Sequence, residues 1–280
     1  MLPFEQKLHD EFGYTVQVAC EIEFYISSGF SERSKDNEFL AEILLALSKK
    51  NIAVSSIGLE VAPNQFEVAL TPKSPEIAIF EVTQLKGIAA NICAKYGQEI
   101  LFSAKPFENL PGSGLHIHIS LFDSSGNALY SRDDDKNESS VMLYSIGGLC
   151  QTMLKNFIYF APDETSYQRF SSVINNIAEY QNPMVSHNNA PVNVSWGGNN
   201  RTTAIRIPTS TINEQGRHIE FRVAGADADP KHVIEKIIEG IYFGISNKIN
   251  PPEKIYGNAY DAQYNFLTRF PLSLEEAKKL

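Results

Sequence analysis

Residues 14–25 of this chain, YTVQVACEIEFY, alternate in the twofold rhythm of an extended strand. Val16, Val18 and Cys20 fall on one side, and Gln17, Ala19, Glu21 and Glu23 on the other. The same spacing returns at 114–122, where Leu115, Ile117, Ile119 and Leu121 oppose His116, His118 and Ser120. At 64–71 Phe66, Val68 and Leu70 oppose Glu67, and at 218–223 Ile219, Phe221 and Val223 oppose His218, Glu220 and Arg222. Shorter strand-like pieces lie at 52–57, 99–104, 191–196 and 203–207. Helical spacing is found at 37–49, from Ser74–Pro75 to Tyr96, at 139–158, at 229–248 after ADADP, and in the short SLEEA segment. Strands and helices mix without strict alternation and no segment repeats. The pattern predicts one α+β domain over residues 1–280, its curved, largely antiparallel sheet backed by helices.

Composition narrows the possibilities. A chain of 280 residues with 43% hydrophobic content can bury a sizeable core. The net charge of −9 excludes a role that depends on a basic nucleic-acid face. The first residues, MLPFEQKLHDEFGY, contain acidic groups and no apolar signal core, and no run approaches membrane-spanning length. A cytoplasmic protein without a membrane partner is therefore expected. Cys20, Cys93 and Cys150 are odd in number and sit among apolar residues, so they are expected as buried free thiols.

The polar side of the strands changes the picture. Glutamate is a poor strand former, and Glu21 and Glu23 on one face repel each other unless a cation lies between them. A solvated face accounts for any single carboxylate. Glu21, Glu23, Glu60, Glu67 and Glu220 taken together with His116 instead suit one or two hard divalent cations, Mg²⁺ or Mn²⁺. Arg201 and Arg206 in NNRTTAIRIP, with Arg222, would then hold an anion such as phosphate beside those ions.

In order along the chain, EIEFYI, EVAPNQFEVAL, AKPF…GSGLHIHISL, SYQRF, APVNVSWGGNNRTTAIRIP and HIEFRVAGADADP resemble the catalytic-domain blocks of glutamine synthetase. The resemblance implies an ATP-dependent site with two to three Mg²⁺ or Mn²⁺ ions, in which a carboxylate is phosphorylated and an amine then displaces phosphate. It implies that Glu23, Glu60 and Glu67 hold the ion nearer the acid, and that Glu21, His116 and Glu220 hold the ion on the ATP phosphates. It places His118 and Ser120 on the nucleotide, and Arg201 and Arg206 on the transferring phosphoryl group and ATP. Arg222 would hold the reacting carboxylate of the acid, while Arg169 and Gly112 would bind its other end.

Four departures from the family pattern bear on function. Only residues 1–13 precede the first strand, so the family's N-terminal β-grasp domain, with its ammonium-binding aspartate, is expected to be absent. The family's Asn-Gly-Ser-Gly reads Pro111-Gly112-Ser113-Gly114 here, and proline has no amide side chain; Asn109 is nearby. Asn189 stands where the family has a glutamate base, after an insertion over 170–189 that contains Glu179 and His187. A basic residue that contacts ATP in the family is replaced by His218, with Arg217 beside it as the nucleotide-binding candidate.

Small-molecule acid and amine substrates follow, with the amine or the acid altered from the family's usual pair. Two other classes stay open. One is a nucleotide-binding subunit, in a homo-oligomer or with a partner that carries the missing domain. The other is a carboxylate or guanidino kinase, since the same fold resembles the phosphagen kinases.

Overall fold

A computed structural model describes residues 1–28, 33–132, 138–170, 190–209 and 214–280. The helix α1 (Pro3–Phe12) precedes strand β1 (Thr15–Ile26), and α2 (Arg33–Ser48) leads into β2 (Val54–Leu59) and β3 (Gln65–Leu70). Then come α3 (Pro75–Lys95), β4 (Ile100–Leu101), β5 (Leu115–Phe122), α4 (Ser140–Thr152) and α5 (Phe157–Phe160). The short strands β6 (Trp196–Gly197) and β7 (Ile205–Arg206) precede β8 (Ile219–Phe221), α6 (Pro230–Asn247) and α7 (Leu274–Ala277).

The strands form one sheet in the order β2-β3-β1-β5-β8-β7-β6, with β4 also paired to β1. All pairs are antiparallel except β6–β7, and the sheet does not close on itself. This is the α+β architecture that the alternation predicts. Val18, Cys20, Ile22 and Phe24 of β1, Val68 of β3, Ile117 and Ile119 of β5 and Phe221 of β8 are all buried in a continuous core. Helices α1, α2 and α3 pack against the strands, and α4 and α6 pack against each other. The three cysteines are free and buried, as expected.

Several boundaries differ from the sequence pattern, and each difference has a local cause. Helix α1 was not anticipated. Pro3 fits its first turn, the Leu2 N–H donates to Glu5 Oε2 at 2.9 Å, and Gly13 ends it at φ 71°. The helix expected over 139–158 breaks after Thr152, whose hydroxyl donates back to the Gly148 carbonyl at 2.9 Å, and resumes at Phe157. Ser74 stands at the N-cap of α3 without a side-chain cap bond, whereas Asp229 caps α6 through the Lys231 N–H at 2.8 Å. The strand expected at 99–104 shortens to Ile100–Leu101, and that at 191–196 to Trp196–Gly197, because little of either finds a ladder partner.

Helix α3 also corrects the expectation that no segment reaches membrane-spanning length. Its 21 residues include an 18-residue window of mean hydropathy 1.3. Here it packs Ala78, Val82, Leu85, Ala89 and Ile92 into the core behind β1. Its apolar character is explained by that packing.

Where α4 crosses α6, glycines set the distance. A Cβ on Gly148 would lie 2.1 Å from the Gly240 carbonyl oxygen, and one on Gly244 2.0 Å from that of Tyr144. The two backbones touch directly.

Candidate functional site

The buried side of the sheet fixes the other side. With Ile22 and Phe24 in the core, Glu21 and Glu23 must project from the opposite face, and the same holds for His116, His118 and Glu220. The ladders bring these groups together. Glu21 is the partner of His116, Glu23 of Glu67, and Glu220 of both His118 and Arg206. The strand pairing alone therefore assembles Glu21, Glu23, Glu67, His116, His118, Arg206 and Glu220 from among the residues singled out from the sequence.

Side-chain contacts follow from the register. His116 Nδ1 lies 2.7 Å from Glu21 Oε1, 3.8 Å from Glu220 Oε1 and 3.9 Å from Glu23 Oε1. His118 Nε2 is 3.5 Å from Glu21 Oε2. Glu220 is 1% exposed and is flanked by two arginines: Arg206 Nη1 at 2.7 Å from Oε2, and Arg222 Nη1 in contact with Oε1. Glu23 Oε2 accepts the Gly114 N–H at 2.7 Å. Arg169 is 3% exposed and donates to the carbonyls of Val223, at 2.7 Å, and Arg222, at 3.1 Å.

Of these groups Glu21, Glu23, His116, Arg169, Arg206 and Arg222 border a cavity of about 220 Å³, while Glu220 and His118 stand behind its lining. Glu21, Glu23, Glu60, Glu67 and His116 line one part; Arg169, Arg201, Arg206 and Arg222 line another; Pro111, Gly112, Gln65, Val61 and Ala190 complete the wall. Two sets of donors lie within 4.8 Å of one another, Glu21–His116–Glu220 and Glu21–Glu23–Glu67. The first is the triad expected for the ion on the phosphates. In the second, Glu21 stands where Glu60 was expected, and Glu60 borders the same cavity beside it.

The electrostatics are uneven in an informative way. Burial, and then the nearby carboxylates of Glu21, Glu23 and Glu60, push the Glu67 carboxyl up to about 9. Burial and Glu23 raise Glu60 as well. Burial opposes ionisation of Glu21, but hydrogen bonds with His116 and His118 outweigh it and hold the carboxyl well below its ordinary range. Glu220 is held at about 2, because Arg222, His116, His118 and Arg206 outweigh its burial. A crowded carboxyl that keeps its proton at neutral pH, as Glu67 does, among further carboxylates and next to an imidazole, belongs to a fitting donor set for a hard divalent cation.

Some expected residues lie elsewhere. Arg217 is 4% exposed and is not brought to the cavity: its guanidinium contacts Glu138 and donates from Nε to the Tyr130 carbonyl at 3.1 Å. It precedes His218 by one residue, so alternation sends it to the other face of the sheet. The neighbouring His218 ring lies 5.1 Å from that of His118. Ser120 continues the His116–His118 face at the partner position of Gln17. Asn109 is exposed and does not border the cavity. Glu179, His187 and Asn189 lie outside the described residues. Conversely, Tyr25 and Gln65 share the face of Glu23 and Glu67 and were not singled out from the sequence, although their spacing of two residues from those glutamates was the available signal.

The family model described as the glutamine synthetase catalytic domain matches residues 28–280. The chain is similar to the gamma-glutamylputrescine synthetase PuuA of Escherichia coli (strain K12), with 30% identity over 84% of this chain and 45% of the relative. It is also similar to the glutamine synthetase of Thermotoga maritima, with 28% identity over 90% of this chain and 58% of the relative. The chain thus spans about half the length of these curated relatives. In fold it is similar to the structure titled GmaS/ADP complex, with a TM-score of 0.83 at 20% identity over 98% of this chain and 65% of that one.

Proposed function

Because this chain belongs to the glutamine synthetase catalytic-domain family, we propose that it forms the site of an ATP- and divalent-cation-dependent carboxylate–amine ligase whose amine is larger than ammonia. The observation that carries this reading is one cavity lined on one part by Glu21, Glu23, Glu60, Glu67 and His116 and on another by Arg169, Arg201, Arg206 and Arg222. Carboxylates suit cations, arginines suit carboxylate and phosphate, and a phosphoryl transfer needs both at once.

In the proposed reaction an oxygen of the acid attacks the γ-phosphorus of ATP, the bond to the β–γ bridging oxygen breaks, and ADP leaves. The amine nitrogen then attacks the acyl carbon and loses a proton, and inorganic phosphate departs. Divalent cations, held by Glu21, His116 and Glu220 and by Glu23, Glu60 and Glu67, would offset the charge of the polyphosphate and of the group in transfer. Arg201 and Arg206 stabilise that group and ATP, with His118 and Ser120 on the nucleotide. Arg222 orients the reacting carboxylate, and the buried Arg169, with Gly112, binds the far end of the acid. Because Arg169 and Arg222 are anchored by backbone carbonyls and by Glu220, their planes are set before substrate arrives.

The larger amine is supported by the name of one relative, which makes a glutamyl amide of putrescine. The insertion over 170–189, ending in Asn189 where the family has a glutamate base, supports it as well. The test is phosphate release by the purified protein with ATP, Mg²⁺, glutamate and a panel of ammonia, short alkylamines and diamines. Release that requires all components and is faster with an alkylamine or diamine than with ammonia is expected. No release with any acid–amine pair would overturn the ligase reading.

A further inference from the structure

On the cavity side, β1 and β3 meet in three successive rungs: Glu21 opposite Ala69, Glu23 opposite Glu67, and Tyr25 opposite Gln65. The third rung carries no carboxylate, and both of its side chains are buried. They reach to the loop before β5. The Tyr25 hydroxyl donates to the Pro111 carbonyl at 2.9 Å, and Gln65 Nε2 donates to the next carbonyl, that of Gly112, at 3.1 Å. Gln65 is itself held, since its Oε1 accepts the Ala62 N–H at 3.3 Å.

The flanking carbonyls are engaged too. Leu110 accepts from the Lys105 ammonium, Ser113 from the Ala226 N–H at 3.0 Å, and Gly114 from the Glu23 N–H at 3.0 Å. Every carbonyl from Leu110 to Gly114 thus accepts a hydrogen bond. On the donor side, Ser113 donates to the Ala104 carbonyl and Gly114 to Glu23, and proline has no N–H to give. The Gly112 N–H meets no acceptor among the described residues. Gly112 borders the cavity beside Arg169: a Cβ placed there would lie 2.8 Å from Arg169 Cγ.

We propose that Tyr25 and Gln65 are positioning residues for the acid substrate. Two donors on consecutive carbonyls fix the two peptide planes that meet at Gly112, Pro111–Gly112 and Gly112–Ser113, where one donor would leave the glycine free to turn. The fixed peptide keeps its uncommitted N–H at the Arg169 end of the cavity, as a further donor to a carboxylate oxygen. This rests on the ligase reading above for its substrate, and on the Tyr25–Gln65 rung for its mechanism.

The test uses Tyr25→Phe, Gln65→Met and the double variant of the full chain. Three quantities are measured: amide hydrogen exchange over residues 107–114, KM for acid and for ATP, and the Kd for Mn²⁺ by calorimetry. Loss of either buried bond is expected to speed exchange and to raise the acid KM by about tenfold. KM for ATP and the Mn²⁺ Kd stay within about twofold, and the double variant falls short of the product of the single effects, because both side chains hold the backbone on either side of Gly112. Unchanged exchange and acid KM would overturn the proposal, as would equal weakening of acid, ATP and Mn²⁺, which marks general damage. If the wild type releases no phosphate with any pair, the ligase reading falls by itself, and exchange over 107–114 still decides whether the rung holds the loop.

Discussion

Glu23 and Glu67 are direct partners across the β1–β3 ladder, two carboxylates on one face at a spacing where like charges repel. Burial, and then the carboxylates of Glu21, Glu23 and Glu60, push Glu67 up to about 9 from an ordinary carboxyl value of 4.5. Between those values the folded chain keeps a proton that the unfolded chain has released. Stability of the metal-free protein therefore falls as pH rises through that window. His218, lowered by burial, has the opposite sign below about 6.5, and Lys105, lowered to about 8 by burial, has it at higher pH, so the clean range is from about 6.5 to about 8. Thermal melts of metal-free protein should show the falling Tm, and Glu67→Gln should flatten it. Saturating Mn²⁺ should also flatten it, since a cation replaces the proton. An identical slope in wild type and Glu67→Gln would refute the assignment.

Glu220 stands between Arg206 and Arg222 with almost no exposure. Glu220→Gln leaves two partly buried guanidinium groups without their counter-charge, at a cost of about 3 kcal/mol in unfolding free energy. Mn²⁺ binding should weaken together with stability. Chemical denaturation and calorimetry check this, and a variant as stable as wild type would contradict it.

Arg217 and His218 are adjacent in sequence and opposite in role. Arg217→Met strips Glu138 of its buried partner and should lower Tm by several degrees, while KM for ATP stays within about twofold. A rise in KM for ATP at unchanged Tm would return Arg217 to the nucleotide site.

At the α4–α6 crossing, Gly148→Ala places a methyl group 2.1 Å from the Gly240 carbonyl oxygen, so one helix must move. Overpacking of this kind destabilises by about 1–3 kcal/mol, measured by urea unfolding. Stability equal to wild type would show that the helices separate without penalty.

Much of the centre could be inferred from period alone. Once one face of a strand is known to be apolar, the placement of Glu21, Glu23, His116 and Glu220 follows, and the ladders bear this out. Glu60 and Arg201 lie outside the strands, where no alternation fixes direction; the family resemblance singles them out, and the fold brings both to the cavity. Helix α1 was missed because it is short and rich in polar residues, and its stability comes from packing on α6, where Phe4 meets Tyr242 at 5.6 Å. Arg217, expected on the nucleotide beside His218, instead meets Glu138 and the Tyr130 carbonyl on the face that alternation assigns to it. Tyr25 and Gln65 carry no charge at neutral pH, so only their two-residue spacing from Glu23 and Glu67 marks them.

The pairing of Glu21 with His116 has a bearing on how the chain reaches its native state. A slip of β1 by one residue against its neighbours would turn Glu21 and Glu23 into the oil behind the sheet and expose Ile22 and Phe24 to water. Ionised groups thus police strand alignment during folding: misaligned intermediates are penalised by the very side chains proposed to hold the cations, and a molecule that gathers cations there would, by that fact, have been checked for correct assembly.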